Sequence, residues 1–444
     1  MTTPQQFSIE ATGRNATAEI QSAIDAASAR GGGRVSLLAG EHVAGGLLLK
    51  SAVELHLAEG ALLRPIPDYE AYRDTTVGVI AEKSNRGMIV AGNADNVRIT
   101  GPGRIEAGGE HFVAGDDPTV GTFVPSEFRP RVVVFEGCRT VALDGFQVTG
   151  SPMWTLHLAD CEDIVIRNVT ITNDRRLPNT DGMVLDACRR VLIEDCTIST
   201  ADDGICLKTS AGPDGKAIGV CENITVRRCT VSSLSCALKL GTESHGDFDN
   251  VVFEDCKVSD SNRGLGLFSR DGGHMRNVRF SRVEVDCHET PDGFWGSGEA
   301  LTVTVVDRRP ERHAGAVENL IVEEITGRME GAINLVSTSA AGIRNVAFRG
   351  IRLAQEPGAL GTGLRYDLRP TFADIAPSTE AEGRANAWTR GADGRIVGLL
   401  DYLGGMPAVF LKGVEGLTAQ DVAVKRPAPL PEGWNAKDIV EETN

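Results

Sequence analysis

Two runs carry the aspartates best placed for chemistry: Asn179-Thr180-Asp181-Gly182-Met183-Val184-Leu185 and Ala201-Asp202-Asp203-Gly204-Ile205-Cys206-Leu207-Lys208. Asp181 precedes Met183 and Leu185 at the same offsets at which Asp203 precedes Ile205 and Leu207, so each opens an alternating strand with an apolar inward face. If those strands are successive coils of one solenoid, Asp181 and Asp203 stack about 4.8 Å apart. Asp202 has the opposite parity and is expected on the other side of its strand. Cleaving a glycosidic bond takes one carboxyl group to protonate the leaving oxygen and another to activate water. The two stand about 6.5–9.5 Å apart for inversion and about 5–5.5 Å apart for retention. The offset of Asp202 predicts the wider gap. Asp181 and Asp203 would then share the water, while Asp202, crowded by two carboxylates, would hold its proton and act as the acid. Asn179 is placed to orient water or a sugar hydroxyl.

Each motif alone also has a plainer reading, since Asp-Gly and Asn-Thr-Asp-Gly form turns and clustered carboxylates suit calcium. Register, stacking and separation together favour catalysis, with no metal and no cofactor assigned.

The elements that must hold these aspartates repeat along the chain. Alternating apolar steps begin at Val97, Val141, Ile164, Val191, Ile224, Val251, Val278, Leu320 and Val346, mostly at intervals in the twenties. Short strands at that period cannot bury their faces alone, and stacking gives them one continuous core. The pattern predicts an all-β chain, a parallel β-helix over 1–444 as one domain. Residues 17–30 are expected as a helix capping its open end, with Thr17 as N-cap and Ile20, Ala23, Ile24 and Ala27 on one face. Residues 288–316 and 355–404 interrupt the period and read as inserted loops, bringing Trp295, Arg365, Tyr366 and Trp388 to one face. Residues 425–444 read as a polar tail.

Composition excludes several partners. With 45 Lys and Arg against 61 Asp and Glu the formal charge is −16, which argues against nucleic acid and anionic membranes. An acidic substrate must be short or be met by local basic groups. Many of the ten cysteines recur at one place in the repeat, as at Cys138, Cys161 and Cys188, and read as a ladder of small buried residues rather than bridges or zinc ligands. The opening residues show neither the charged nor the apolar run of a leader, and no apolar stretch is long enough to span a bilayer. A cytoplasmic location is the expectation. Nothing in the pattern fixes an oligomeric state.

The sequence resembles glycoside hydrolase family 28, the polygalacturonase family. The likeness runs through Gly32-Gly33-Arg34-Val35, Leu49-Lys50-Ser51, Gly101-Pro102-Gly103-Arg104-Ile105 and Ser151-Pro152-Met153-Trp154-Thr155-Leu156-His157. It continues in the two aspartate runs and in Gly241-Thr242-Glu243. The resemblance implies a right-handed β-helix, an oligosaccharide or polysaccharide substrate related to pectin, and an inverting mechanism. In it Asp202 is the general acid and Asp181 and Asp203 activate water. Two family motifs are missing. Ser235-Cys236-Ala237 stands in place of Gly-His-Gly, with Cys236 read as packing, and Gly266-Leu267-Phe268 in place of Arg-Ile-Lys. The family's Arg and Lys grip a galacturonate carboxylate, so their loss predicts a neutral or deoxy sugar on Phe268. Lys208 and Arg270 are expected as compensating cations, and His157, Glu243 and His245 as sugar contacts. The chain is thus expected to be an inverting, exo-acting glycoside hydrolase. The alternatives are a β-helix lyase or epimerase and a noncatalytic carbohydrate-binding solenoid.

Overall fold

A computed structural model describes residues 5–118, 121–291, 294–371 and 391–442. The aspartates stand along a thirteen-stranded sheet in which each coil adds one strand. Its central members are Leu156–Ala159, Met183–Asp186, Ile205–Thr209, Cys236–Ser244, Arg263–Ser269, Leu301–Val305 and Ile333–Ser337, all paired in parallel. Leu156, Met183, Ile205, Leu238, Leu265, Leu301 and Ile333 are register partners from coil to coil. All are buried, so one row of side chains from each coil builds the interior. The remaining parallel strands close the coils in a twenty-two-stranded sheet, and the fold is a right-handed parallel β-helix.

The recurrent asparagines have a conformational cause. Asn96, Asn223, Asn250, Asn277, Asn319 and Asn345 all take φ between 54° and 59°, a left-handed bend that asparagine tolerates better than most residues. Stacked at the same bend, their amides bond to one another: Asn250 Nδ2 donates to Asn223 Oδ1 at 2.8 Å and Asn319 Nδ2 to Asn277 Oδ1 at 3.1 Å. The expected cysteine ladder is also present, since all ten thiols are buried and unpaired.

The one α-helix among the described residues, Thr17–Ala29, lays Ile20, Ala23, Ile24 and Ala27 over the first coil. Thr17 does not cap it. Ala16 holds that position, while the Thr17 hydroxyl donates to Asn15 Oδ1 at 2.6 Å and accepts from Gly45 N at 2.7 Å, tying the helix to the coil instead. No helix among the described residues is long and apolar enough to cross a membrane.

Three expected boundaries shift. Gln5–Ile9 pairs with Gly33–Leu37 ahead of the helix. The supposed tail contributes Ile439–Glu442, which extends the long sheet beyond Val409–Lys412. The interruption at 288–316 contains a regular sheet strand, Leu301–Val305. A lone strand with no repeat around it carries too short a pattern to be distinguished from a loop. In the second interruption Arg365–Asp367 pairs antiparallel with Leu399–Asp401, and Tyr366 is packed against Tyr402 and Phe410 rather than facing a cleft. Trp388 lies outside the described residues.

Glycine follows the aspartate at these strand starts because neighbouring atoms come too close for a side chain. A Cβ on Gly204 would stand 2.2 Å from Val231 Cγ1 and 2.6 Å from the Ala237 carbonyl oxygen. Gly204→Ala should therefore cost about 1–3 kcal/mol of stability through overpacking, read as a lower denaturation midpoint.

Candidate active site

Asp181 and Asp203 stand just before their strands, held to equal height because Gly182 N donates to Asp203 O at 2.9 Å. The strands themselves pair Met183 with Ile205. Backbone around them is fixed by side-chain hydrogen bonds. Asn173 Nδ2 donates to Thr155 Oγ1 at 2.8 Å and to Thr180 O at 3.0 Å. The hydroxyls of Thr200 and Ser233 both donate to Asp202 O, at 2.6 and 2.7 Å.

One oxygen from each of Asp181, Asp202 and Asp203 lies within 4.8 Å of the others. The expected offset of Asp202 is therefore not found. It sits in the bend before Ile205–Thr209, where strand parity does not apply, and its carboxylate joins the other two rather than crossing the strand. The spacing is correspondingly shorter than the 6.5–9.5 Å gap anticipated.

Three carboxylates this close cannot all ionise freely. Burial, then the neighbouring Asp202 charge, pushes Asp181 well above the usual carboxylate range. Burial, then Asp203, raises Asp202. Asp203 has its own support: Oδ2 pairs with Lys239 Nζ at 2.6 Å and Oδ1 accepts from Ser235 Oγ at 2.9 Å. Lys208 Nζ lies 3.7 Å from Asp181 Oδ2, 3.0 Å from Glu243 Oε2 and 4.1 Å from the centre of the Trp154 ring. Burial opposes the charge of Glu243, yet Lys208 and Arg308 outweigh it and hold this carboxyl down to about 2. The cluster thus sets two carboxyls pushed toward the protonated form beside a third that is paired with Lys239, an arrangement suited to acid–base chemistry. Two buried ammonium groups already fill the cationic role of the calcium alternative, and both oxygens of Asp203 are engaged, so the donor set fits a metal poorly.

Asn179 lines this cleft, its Oδ1 accepting from Arg129 Nη2 at 2.8 Å and its Nδ2 donating to Glu82 Oε1 at 3.2 Å. Phe268 lines it too, with Trp295, Arg369 and Pro370 from the two interruptions. Gly266 makes room for that ring: a Cβ there would meet Phe268 Cε2 at 2.4 Å. The cations missing from this strand return from neighbouring positions. Lys239 and Arg263 stand 5.4 and 5.0 Å from the ring centre, each already paired, with Asp203 at 2.6 Å and Asp367 at 2.9 Å. The ring itself is 1% exposed, so Phe268 is packed beneath the cleft rather than offered as an open platform for a sugar.

Three of the expected contacts, Arg270, His157 and His245, do not line the cleft of the aspartates. Arg270 is fully buried, donating to the carbonyls of Thr304 (3.0 Å), Leu368 (3.1 Å) and Pro370 (3.2 Å). It anchors the segment that carries Arg369 instead of touching sugar. His157 is also fully buried, accepting at Nδ1 from Arg131 Nη1 at 2.7 Å, and burial lowers it to about 4, so it is neutral. Its ring packs edge-on against Trp154 at 4.9 Å. His245 faces a neighbouring cavity, not the aspartates. Lys239, Ser235, Arg263 and Trp154 escaped the sequence reading. Lys239 carried a signal, being a lone cation between inward Leu238 and Leu240, directly above Cys206 in register.

Comparison with known proteins adds to this geometry. A probable polygalacturonase of Vitis vinifera is 27% identical over 271 residues, 56% of this chain and 52% of the relative. One of Arabidopsis thaliana is 27% identical over 195 residues, 43% of this chain and 40% of the relative. The chain thus spans about half the length of these relatives. Among solved structures, an exopolygalacturonase from Thermotoga maritima superposes with a TM-score of 0.61 at 24% identity, covering 78% of this chain and 93% of the other. A polygalacturonase from Erwinia carotovora gives 0.65 at 20% identity, covering 81% and 95%. These two likenesses establish the fold. The sequence profile described as "Glycosyl hydrolases family 28" matches residues 71–359. That span is more than half of the chain and takes in the three aspartates, both lysines and Trp295, so the chain belongs to glycosyl hydrolase family 28.

Proposed function

We propose that the protein hydrolyses glycosidic bonds in a pectin-related oligosaccharide, attacking from the chain end with inversion. The observation that carries this reading is the convergence of three carboxylates on one cleft, with two pushed toward the protonated form and the third fixed by Lys239. Asp202, the most accessible of the three, donates its proton to the departing oxygen. Asp181 and Asp203 hold the attacking water between them. The polygalacturonase relatives support the substrate class, and a net charge of −16 disfavours long polyanions over short ends.

The close spacing favours a second reading, retention through a glycosyl-carboxylate intermediate. Burial speaks against it. Asp181 and Asp203 are each 2% exposed, which suits holding a water better than reaching an anomeric carbon. Proton NMR of the first product formed from galacturonate oligosaccharides separates the two. Inversion should appear as the opposite anomer before mutarotation. A first product of retained configuration overturns the single-displacement mechanism, and an unsaturated product absorbing in the near ultraviolet overturns hydrolysis itself.

A further inference from the structure

Beyond the Lys208–Glu243 pair lies a second cavity of about 690 Å³, within the range of about 300–1,000 Å³ usual for small-ligand pockets. One wall is basic. Arg308, buried, binds Asp271 with two prongs, Nε to Oδ1 at 2.8 Å and Nη2 to Oδ2 at 2.6 Å, while its Nη1 is buried without a hydrogen-bond partner. Arg309 Nε lies 3.4 Å from the same carboxylate. Arg309-Pro310-Glu311-Arg312 forms a tight turn, closed by Arg312 N donating to Arg309 O at 3.3 Å, with proline at the position that pre-sets its φ. Both flanking arginines line the cavity, and Arg312 Nη1 donates to His245 Nδ1 at 2.7 Å. Two guanidinium groups, Arg308 and Arg309, thus share one carboxylate, Asp271, while the third, Arg312, is tied to His245. The acidic lining is partly committed elsewhere, Glu243 to Lys208 at 3.0 Å and Glu136 to Gly78 N at 2.8 Å. Val79 and Ile80 add apolar surface to the lining.

We infer that this cavity is a subsite for an acidic sugar residue, its carboxylate received by Arg308 Nη1 and the Arg309–Arg312 turn. A buried donor without a partner costs free energy that an arriving carboxylate recovers, and paired guanidinium donors match its planar geometry. The inference rests on the hydrolase reading for its place in the reaction, because the two cavities share Glu82, Trp154, Lys208 and Glu243. Of the compensating cations expected from the sequence, Lys208 borders this cavity and Arg270 does not. The further basic groups come from the turn that 288–316 inserts beside the sheet.

Calorimetric titration of the full chain carrying Asp202→Asn, at low ionic strength, tests it without turnover. Digalacturonate should bind at least about tenfold tighter than its carboxyl-reduced counterpart, as expected for charge-assisted hydrogen bonds. Arg309→Gln with Arg312→Gln should abolish that preference with no change in Tm, whereas Arg312→Lys should keep part of it. A double variant that retains the preference, or equal binding of both sugars by the parent, overturns the subsite. Failure of the hydrolase reading shows separately, as absence of turnover by the unsubstituted chain while the binding preference persists.

Discussion

Asp202→Asn should lower kcat by about 10²–10⁴ while leaving the fold intact, the range over which a positioned proton donor contributes. The amide keeps the shape and the acceptor for Asp203 N, which donates to Asp202 Oδ1 at 3.0 Å, but cannot give up a proton to a sugar oxygen. The pH profile is the sharper readout. Burial and Asp203 raise Asp202, so the unsubstituted chain should lose activity on the alkaline side as this proton departs, and the variant should lack that limb. Stability follows the same sign. A carboxyl whose folded pKa lies above its unfolded value, about 3.9 for aspartate, contributes stability that is present at low pH and lost as pH rises through the folded pKa. Asparagine cannot ionise, so the variant should match the parent in Tm near pH 4 and exceed it at pH 8. A variant of undiminished kcat places the acid elsewhere, and an unchanged Tm difference across that range removes the charge crowding invoked for it.

The fold was legible because a β-helix writes its period into the chain. Alternation fixes which residues point inward, asparagine marks many of the left-handed bends, with Thr140, Asp163 and Arg190 taking the same bend in other coils, and cysteine recurs as a small buried side chain. The aspartates were legible for the same reason, since register equates Asp181 with Asp203 once Met183 is opposite Ile205. What parity could not give was the direction of Asp202, which lies in a bend. Nor could it give depth. Arg270 and Glu243 look alike as polar residues at the end of a strand, yet the first is consumed by carbonyls of a segment about a hundred positions away, as in its bond to Pro370 O, and the second opens on the cleft. Partners that distant in sequence carry no local signal. The cations around Phe268 escaped for a related reason. A motif fixes positions along one strand, whereas Lys239 reaches the same space from the preceding coil and Arg263 from the start of the strand.

Lys239→Met should destabilise the protein by about 3–5 kcal/mol, the usual cost of stripping one partner from a buried ion pair. Methionine keeps the aliphatic length that packs near Phe268 and removes only the ammonium, so the loss reports on charge rather than on a cavity. Asp203 is then left with Ser235 alone, at 2% exposure, and its carboxylate must either stay charged at high cost or take up a proton. Either response has a kinetic trace. With the ammonium gone the carboxylate is no longer held in place for the attacking water, so kcat should fall. The two contributions come apart in a double-mutant cycle by chemical denaturation. Asp203→Asn removes the stranded charge, so adding it to Lys239→Met should recover most of the stability and none of the activity. A coupling below about 0.5 kcal/mol between the two positions would mean that they act independently, and Lys239 would then be placed for the sugar and not for Asp203.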